Sequence, residues 1–144
     1  MKQLDYFDEK ERIEKLIQSR KEMVLATCNE TRVTARTVYC ISESLNIYFM
    51  TSKAYLKYKQ IEKNNRVALC FDNVQMEGIA TCKGHPLDEE NESVMKLAKE
   101  HGGFMHFAKY KNSILIQVTI TNVEMWENNG RLNLNVTKEE SYWK

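Results

Sequence analysis

Residues 36–57 read RTVYCISESLNIYFMTSKAYLK, and this stretch decides the fold. Apolar side chains recur at every second position from Leu45 to Phe49, and a period of two is typical of a half-buried strand. Another extended run lies over 32–41, and residues 42–44 supply a turn between the two. The stretch therefore predicts a β-hairpin whose second strand, over 45–51, runs directly into a helix.

The end of that second strand carries side chains suited to an anion. Thr51 and Ser52 are candidates for the N-cap of the following helix. Lys53 and Lys57 are four residues apart, so within that helix they share one face. A helix N-terminus that combines hydroxyls, free N–H groups and lysines favours phosphate binding. The same signals also suit an ordinary helix cap beside two solvated lysines.

The rest of the chain is predicted to be mainly β with inserted helices. Further strands are predicted over 23–28, 66–72, 76–84 and 114–125, followed by a last strand that carries Leu132, Leu134 and Val136. Helices are predicted over 6–19, from Thr51 to a left-handed end at Asn64-Asn65, from an Asp88 N-cap to His101 with a stop at Gly102-Gly103, and over 104–110.

Three positions are predicted to interrupt the strands. Gly78 indicates a bulge or the close approach of a ligand. The apolar positions change parity near Asn122, which indicates a second bulge. Residues 128–130, Asn-Asn-Gly, are typical of a hairpin turn. Six or seven such strands leave no exposed edge if they close into one antiparallel barrel, so we expect a single domain over 1–144.

Composition excludes several classes of protein. The 144 residues suit one domain, and 42% apolar residues can form its core. A net charge of +1 gives no basic footprint for nucleic acid. The apolar runs are too short for a membrane span, and the first nine residues lack the apolar centre of a signal peptide. We therefore expect a cytoplasmic protein that binds neither nucleic acid nor membrane.

The cysteines and histidines form no recognisable metal site. The four cysteines, at positions 28, 40, 70 and 82, include no CxxC pair, and their spacing matches no zinc template. Because each lies in an apolar run, we expect small buried hydrophobic side chains. The three histidines likewise show no ligand spacing, and no metal is expected.

The order of hairpin, threonine-bearing turn, lysine-bearing helix and the run Asn64-Asn65-Arg66 to Phe71 resembles the pyridoxamine 5′-phosphate oxidase-like family. The resemblance is clear over 21–84 and extends more loosely to Trp126. That family consists of small antiparallel split β-barrels that bind flavin mononucleotide (FMN). Its members are usually homodimers with the flavin at the interface, so the resemblance implies a mainly β split barrel of six or seven strands, a homodimer and FMN as cofactor.

The resemblance also assigns residues to the flavin. It places the phosphate on Arg36, Thr51 and Lys57. The guanidinium of the arginine can grip a phosphate with two parallel hydrogen bonds, the threonine offers a hydroxyl, and the lysine adds a positive charge. Lys53 is a fourth candidate, and backbone around Thr37, Val38 and Met50 would meet the flavin ring. The candidates from a second subunit are Gln75, Glu77, Gly78, Trp126 and Arg131. Two alternatives remain open here: Trp126 also suits core packing, and an arginine beside a glycine turn also suits plain exposure.

The sequence departs from the vitamin B6 oxidases at the positions that matter for their substrate. Those enzymes have a lysine where this chain has Ile41, and an arginine where it has Leu56. Their C-terminal Arg-Leu-His-Asp-Arg corresponds here to residues 131–135, in which Asn133 and Asn135 replace the histidine and the last arginine. Flavin binding is therefore better supported than oxidation of pyridoxamine phosphate.

The leading hypothesis is an FMN-dependent oxidoreductase of unknown substrate, served by a small molecule or NAD(P)H and with no catalytic side chain assigned. The second is a flavin- or haem-binding carrier or sensor without turnover; no histidine is placed as an axial haem ligand. The third, a nucleic-acid-binding barrel, is disfavoured by the charge.

Overall fold

The computed structural model describes residues 1–144. Nine strands and four α-helices follow one another along the chain, together with a short 3₁₀ turn at Glu89–Asn91. In order they are β1 (Lys2–Leu4), α1 (Tyr6–Gln18), β2 (Glu22–Cys28), β3 (Val33–Glu43), β4 (Asn46–Ser52), α2 (Leu56–Lys63), β5 (Arg66–Phe71), β6 (Val74–Cys82), α3 (Glu92–Ala98), α4 (Gly102–Met105), β7 (Ser113–Glu127), β8 (Gly130–Asn135) and β9 (Glu140–Trp143).

Six of the strands close into an antiparallel barrel. The sheet order is β1-β9-β8-β7-β4-β3-β2-β5-β6, and β7 also pairs with β6, which joins the two ends of the six-strand set. A core of 25 buried residues fills this barrel, and Ile13 and Ile17 of α1 are fully buried in it. The predicted antiparallel barrel is confirmed, and the remaining three strands extend it beyond β7.

The predicted break at Gly78 is confirmed, and its cause is the neighbouring strand. The β6–β7 register shifts there, so Thr121 of β7, next to the predicted position Asn122, has no register partner in β6. A Cβ on Gly78 would lie 2.5 Å from Cγ1 of Val118 and 2.8 Å from the carbonyl oxygen of Thr119. The close approach is therefore made by β7, and only glycine fits.

The end of the chain is partly as predicted. Asn128 and Asn129 both have positive φ, 48° and 62°, which is the type I′ geometry of a two-residue hairpin. Leu132 and Leu134 are buried on one face of β8, as expected. However, β8 is not the last strand, because β9 pairs with it and β1 pairs with β9. Strands of three and four residues are too short to show a period in sequence.

The predicted helix after Thr51 begins too early. Thr51 and Ser52 still belong to β4, where they pair with the start of β7, and the N-cap of α2 is Tyr55, whose side chain makes no capping bond. Lys53 therefore precedes the helix and does not share a face with Lys57. Continued strand pairing prevents the hydroxyls from acting as caps. Asn64, at the other end, is extended with φ −144° rather than left-handed.

The segment after Pro86 also differs from its prediction. Asp88 does not cap a helix with its side chain; its carboxylate accepts the N–H of His85. The predicted stop at Gly102 is instead the start of α4, because Nδ1 of His101 accepts the N–H of Phe104 and caps it. The segment then covers the outer face of β3, β4 and β7. It forms a second buried cluster of Ile41, Tyr48, Met95, Ala98, Phe104, Ala108 and Leu115.

The cysteines are less buried than expected. Cys40 is buried, and this burial raises the pKa of its thiol to about 12. Cys28 is half-buried, whereas Cys70 and Cys82 are exposed, so the prediction of burial is wrong for both. In β5 buried and exposed positions alternate, and Cys70 falls on the outer face. Cys82 shares the parity of the buried positions of β6, but it is the last residue of that strand, where the alternation ends and the side chain is exposed. No helix of the chain combines the length and the apolar character needed to cross a membrane.

Candidate functional site

A cleft of about 640 Å³ opens beside the β3–β4 hairpin. Its barrel wall consists of residues 37–39 of β3 and residues 50–52 of β4. Tyr55 and Lys57 line it from the start of α2, and the opposite wall comes from α4 and the residues up to Ser113. Two lysines and no carboxylate line the cleft, so its charge favours an anion.

Two cations meet beside this cleft without a counter-ion. Arg36 lies on the inner face of β3 and is half-buried, as is Lys57 of α2. Neither forms an ion pair with a carboxylate. Burial lowers the pKa of Arg36, and it lowers the pKa of Lys57, which the charge of Arg36 lowers further. Mutual repulsion without compensation is typical of a site whose partner is a ligand.

Arg36 is held so that one edge of its guanidinium stays available. Nη1 donates to the carbonyl oxygen of Leu25 at 3.2 Å and to Oγ1 of Thr27 at 2.9 Å, and Nη2 donates to Oγ1 of Thr34. These bonds leave the Nε–H and the second Nη2–H without a partner in the chain. The two form the side fork that grips carboxylate or phosphate with two parallel bonds. Arg36 itself does not line the cleft, whereas Lys57 does.

Thr51 contributes an unused hydroxyl to the same place. The residue lines the cleft and is only 6% exposed, and its Oγ1 has no hydrogen-bond partner. Buried hydroxyls nearly always find a partner, so this one requires an explanation. A ligand in the cleft would supply the missing bond.

Aromatic rings that the sequence analysis did not single out line much of the remaining wall. Tyr39, Tyr55, Phe107 and Tyr110 are all between 41% and 57% exposed and border the cleft. The Tyr39 and Phe107 rings lie 6.4 Å apart at 33°. The Lys57 ammonium lies 4.8 Å from the Tyr55 ring centroid. Exposed aromatic faces gathered in one cleft favour a planar ligand. In the sequence, the only sign of this aromatic wall was the presence of aromatic residues at positions 39 and 55 and within 104–110.

The structure places the other residues that were assigned to the flavin as follows. Thr37, Val38 and Met50 border the cleft. Lys53 is exposed in the turn before α2 and does not line the cleft. Its backbone N–H donates to the carbonyl of Asn112 at 3.3 Å, which ties the two walls together.

The candidates assigned to a second subunit lie elsewhere on the chain. Gln75 and Glu77 border a separate hollow of about 420 Å³ on the outside of the barrel, and Gly78 serves the bulge. Trp126 is 52% exposed and therefore not a core residue; the guanidinium of Arg131 lies 5.3 Å from its ring centroid. No residue borders both the hollow and the cleft. A single chain thus does not bring the two sets together.

The solved structures that share this fold include the following three. A protein from Clostridium acetobutylicum related to general stress protein 26, of the pyridoxinephosphate oxidase family, is 13% identical, with TM-score 0.70 over 94% of this chain and 99% of its own. The heme storage protein HutZ from Vibrio cholerae is 13% identical, with TM-score 0.66 over 80% and 92%. An FAD-binding protein from Mesorhizobium loti is 11% identical, with TM-score 0.60 over 76% and 87%. At these identities the likeness establishes the fold alone.

Sequence comparison assigns the family. No curated protein matches the chain. The family model described as pyridoxamine 5′-phosphate oxidase matches residues 9–127, which is most of the chain, so the protein belongs to the pyridoxamine 5′-phosphate oxidase family.

Proposed function

We propose that this protein is an FMN-dependent oxidoreductase whose flavin phosphate binds beside Arg36, Thr51 and Lys57. The observation that carries the proposal is the pair of half-buried cations without a counter-ion next to a buried hydroxyl without a partner. A phosphate monoester carries about −1.5 to −2 charges at neutral pH. It would neutralise both cations, accept the free fork of Arg36 and satisfy the Thr51 hydroxyl. A single terminal phosphate favours FMN over FAD.

The rest of the cleft suits the ring. Backbone at Thr37, Val38 and Met50 would meet the polar edge of the isoalloxazine, and the exposed aromatic rings offer apolar faces to its plane. Lys53 would add positive charge from the rim. When bound, the flavin supplies the transfer of hydride or electrons, and the chain supplies position and electrostatics. The electron donor would be NAD(P)H or a small-molecule substrate, and no side chain is assigned as acid or base.

We further propose a homodimer with the flavin at the interface. The outer hollow of the barrel exposes apolar surface at Val24, Ala68 and Cys70, which a second copy would cover. That copy would bring Gln75 and Glu77, or Trp126 and Arg131, to the cleft of its partner. Light scattering should then give twice the chain mass of 17.0 kDa. Four unpaired cysteines suit the reducing cytoplasm, where we place the protein.

Family membership does not make this protein a pyridoxamine-phosphate oxidase. Ile41, at the position of a family lysine, is buried under the α3–α4 segment and offers neither charge nor access. Asn133 and Asn135 cannot replace an imidazole and a guanidinium at neutral pH. We therefore expect pyridoxamine 5′-phosphate to be oxidised at well below about one turnover per second, the lower end of ordinary enzymes.

A carrier of flavin or haem without turnover is the second candidate. The shared fold with a heme storage protein supports it. His85, His101 and His106 all lie outside the cleft lining, so haem would need another ligand there, such as a tyrosine.

The visible spectrum of the purified protein, before and after NADH or NADPH, separates these candidates. Flavin bands that bleach support the oxidoreductase, unbleached flavin bands support the carrier, and a Soret band supports haem. FMN titration of Arg36→Ala/Lys57→Ala tests the site. Each lost charged contact costs about 1.5–3 kcal/mol, or about ten- to a hundredfold in affinity. Unchanged affinity in the double variant would refute the assignment.

A further inference from the structure

Gln60 of α2 is fully buried and forms the centre of a polar network beneath Arg36. Its Oε1 accepts the hydroxyl of Thr27 at 2.6 Å and the hydroxyl of Thr34 at 2.8 Å. Its Nε2 donates to the carbonyl oxygen of Arg32 at 3.1 Å. The carbonyl of Arg32 fixes which end of the amide is the donor, so Oε1 must face the threonines.

This orientation determines what the two threonines can offer to Arg36. A hydroxyl has one proton, and here both protons point to Gln60. Both oxygens therefore present only lone pairs on their other side. There they accept Nη1 and Nη2 of Arg36. Gln60 thus determines, through Thr27 and Thr34, which edge of the guanidinium is occupied and which is left free.

We propose that Gln60 is a positioning residue for phosphate recognition. It holds Arg36 so that the free Nε–H and Nη2–H face the ligand phosphate, and it thereby gives the site its preference for FMN over riboflavin. This inference rests on the proposed FMN site. Without the amide, the threonine hydroxyls can turn toward each other, 3.5 Å apart, and Arg36 loses its fixed acceptors.

The alternative is that Gln60 only stabilises the barrel. The two roles differ in one measurable quantity, the ratio of riboflavin Kd to FMN Kd. A structural role weakens both ligands together, because they share the isoalloxazine ring. A positioning role weakens FMN alone, because riboflavin has no phosphate. Quenching of flavin fluorescence gives both constants.

The test variant is Gln60→Leu, with Ile61→Val as the control. Ile61 is the neighbouring buried residue of α2 and packs in the barrel core, so its truncation lowers stability without touching the network. For Gln60→Leu we expect the FMN preference to fall about tenfold, with riboflavin affinity unchanged. For Ile61→Val we expect the wild-type preference. An unchanged preference in Gln60→Leu would overturn the inference.

Coupling to Arg36 provides a second criterion. In an Arg36→Ala background, Gln60→Leu should change the FMN preference no further, since its effect passes through the arginine. An equal loss in that background would overturn the inference. If Gln60→Leu does not fold, Thr34→Val removes one acceptor of Arg36 at a half-buried position and should lower the preference as well. A retained preference in Thr34→Val would then count against it.

Failure of the proposed function has a different signature. If the wild-type protein binds FMN no more tightly than riboflavin, or binds neither, the phosphate site itself is wrong and this inference falls with it. If the wild type prefers FMN and Arg36→Ala abolishes the preference while Gln60→Leu preserves it, only the role of Gln60 is wrong.

Discussion

Replacing Lys57 by methionine should stabilise the protein without flavin and weaken its affinity for FMN. The ammonium is half-buried beside Arg36, which has no counter-ion. Repulsion between cations in such partly buried surroundings is about 1–2 kcal/mol after solvent screening. The substitution also removes the contact with the Tyr55 ring, worth about 0.5–1 kcal/mol. The net gain is about 0.5–1 kcal/mol, or an increase in Tm of about 2–4 °C.

The loss of the phosphate contact acts in the opposite direction. One charged hydrogen bond contributes about 1.5–3 kcal/mol, so FMN affinity should fall about ten- to a hundredfold. Calorimetry of the flavin-free protein and a fluorescence titration measure the two effects. Lys59→Met is the matched control, because Lys59 is exposed on the same helix and should alter neither quantity.

The pH dependence of the stability gain follows from the lowered pKa of Lys57. Between that lowered pKa and the ordinary value of 10.5, the unfolded chain binds more protons than the folded chain. The wild-type protein therefore gains stability as pH rises through this window. The advantage of Lys57→Met is complete below the lowered pKa and disappears near the ordinary value. A variant less stable than wild type at pH 7, with unchanged FMN affinity, would refute the reasoning.

Three other experiments test separate parts of the structure. Thr51→Val should leave the Tm of the flavin-free protein equal or higher, because it removes a buried hydroxyl without a partner. It should lower FMN affinity about three- to tenfold, because a neutral hydrogen bond to the ligand is lost; equal affinity would show the hydroxyl to be unused. An aromatic disulfide reagent at pH 8 should label Cys82 rapidly and Cys40 only after unfolding, since burial keeps the Cys40 thiol protonated with a pKa of about 12. Cys70 should react in a monomer and be protected in the proposed dimer. Labelling at low and at high protein concentration therefore tests whether Cys70 lies in the interface. Gly78→Ala should cost about 1–3 kcal/mol of unfolding free energy, because its Cβ would meet β7 at 2.5 Å; a loss below about 0.5 kcal/mol would show that β7 moves aside.

Sequence reasoning succeeded where local chemistry decides the outcome. The hairpin, the bulge opposite Gly78 and the Asn128-Asn129 turn each depend on periodicity or on backbone freedom, and all are confirmed. It failed where a distant segment competes for the same groups. Thr51 was expected to cap a helix, but β7 extends the pairing of β4 past it.

The candidate site likewise has one part that the sequence predicted and one part that depends on distant segments. Arg36 and Lys57 were found because the family resemblance marks their positions, and the structure places their charges together. The role of Gln60 depends on which side of its amide meets Thr27 and Thr34, and these residues are 33 and 26 positions away along the chain. No spacing rule connects them.

The unpaired Thr121 has a consequence for the outer surface of the molecule. Before it, Ile116, Val118 and Ile120 of β7 face the barrel interior; after it, Val123 and Met125 do so. If the same residues, Thr121 included, alternated regularly without the bulge, Trp126 would point inward and Met125 would be exposed. The bulge at Thr121 thus reverses which positions of β7 face inward, and it places the indole of Trp126 on the outer surface. Deleting Thr121 would restore regular alternation with Val123 and Met125 still inside, so it would remove the bulge without moving Trp126 from the outer surface.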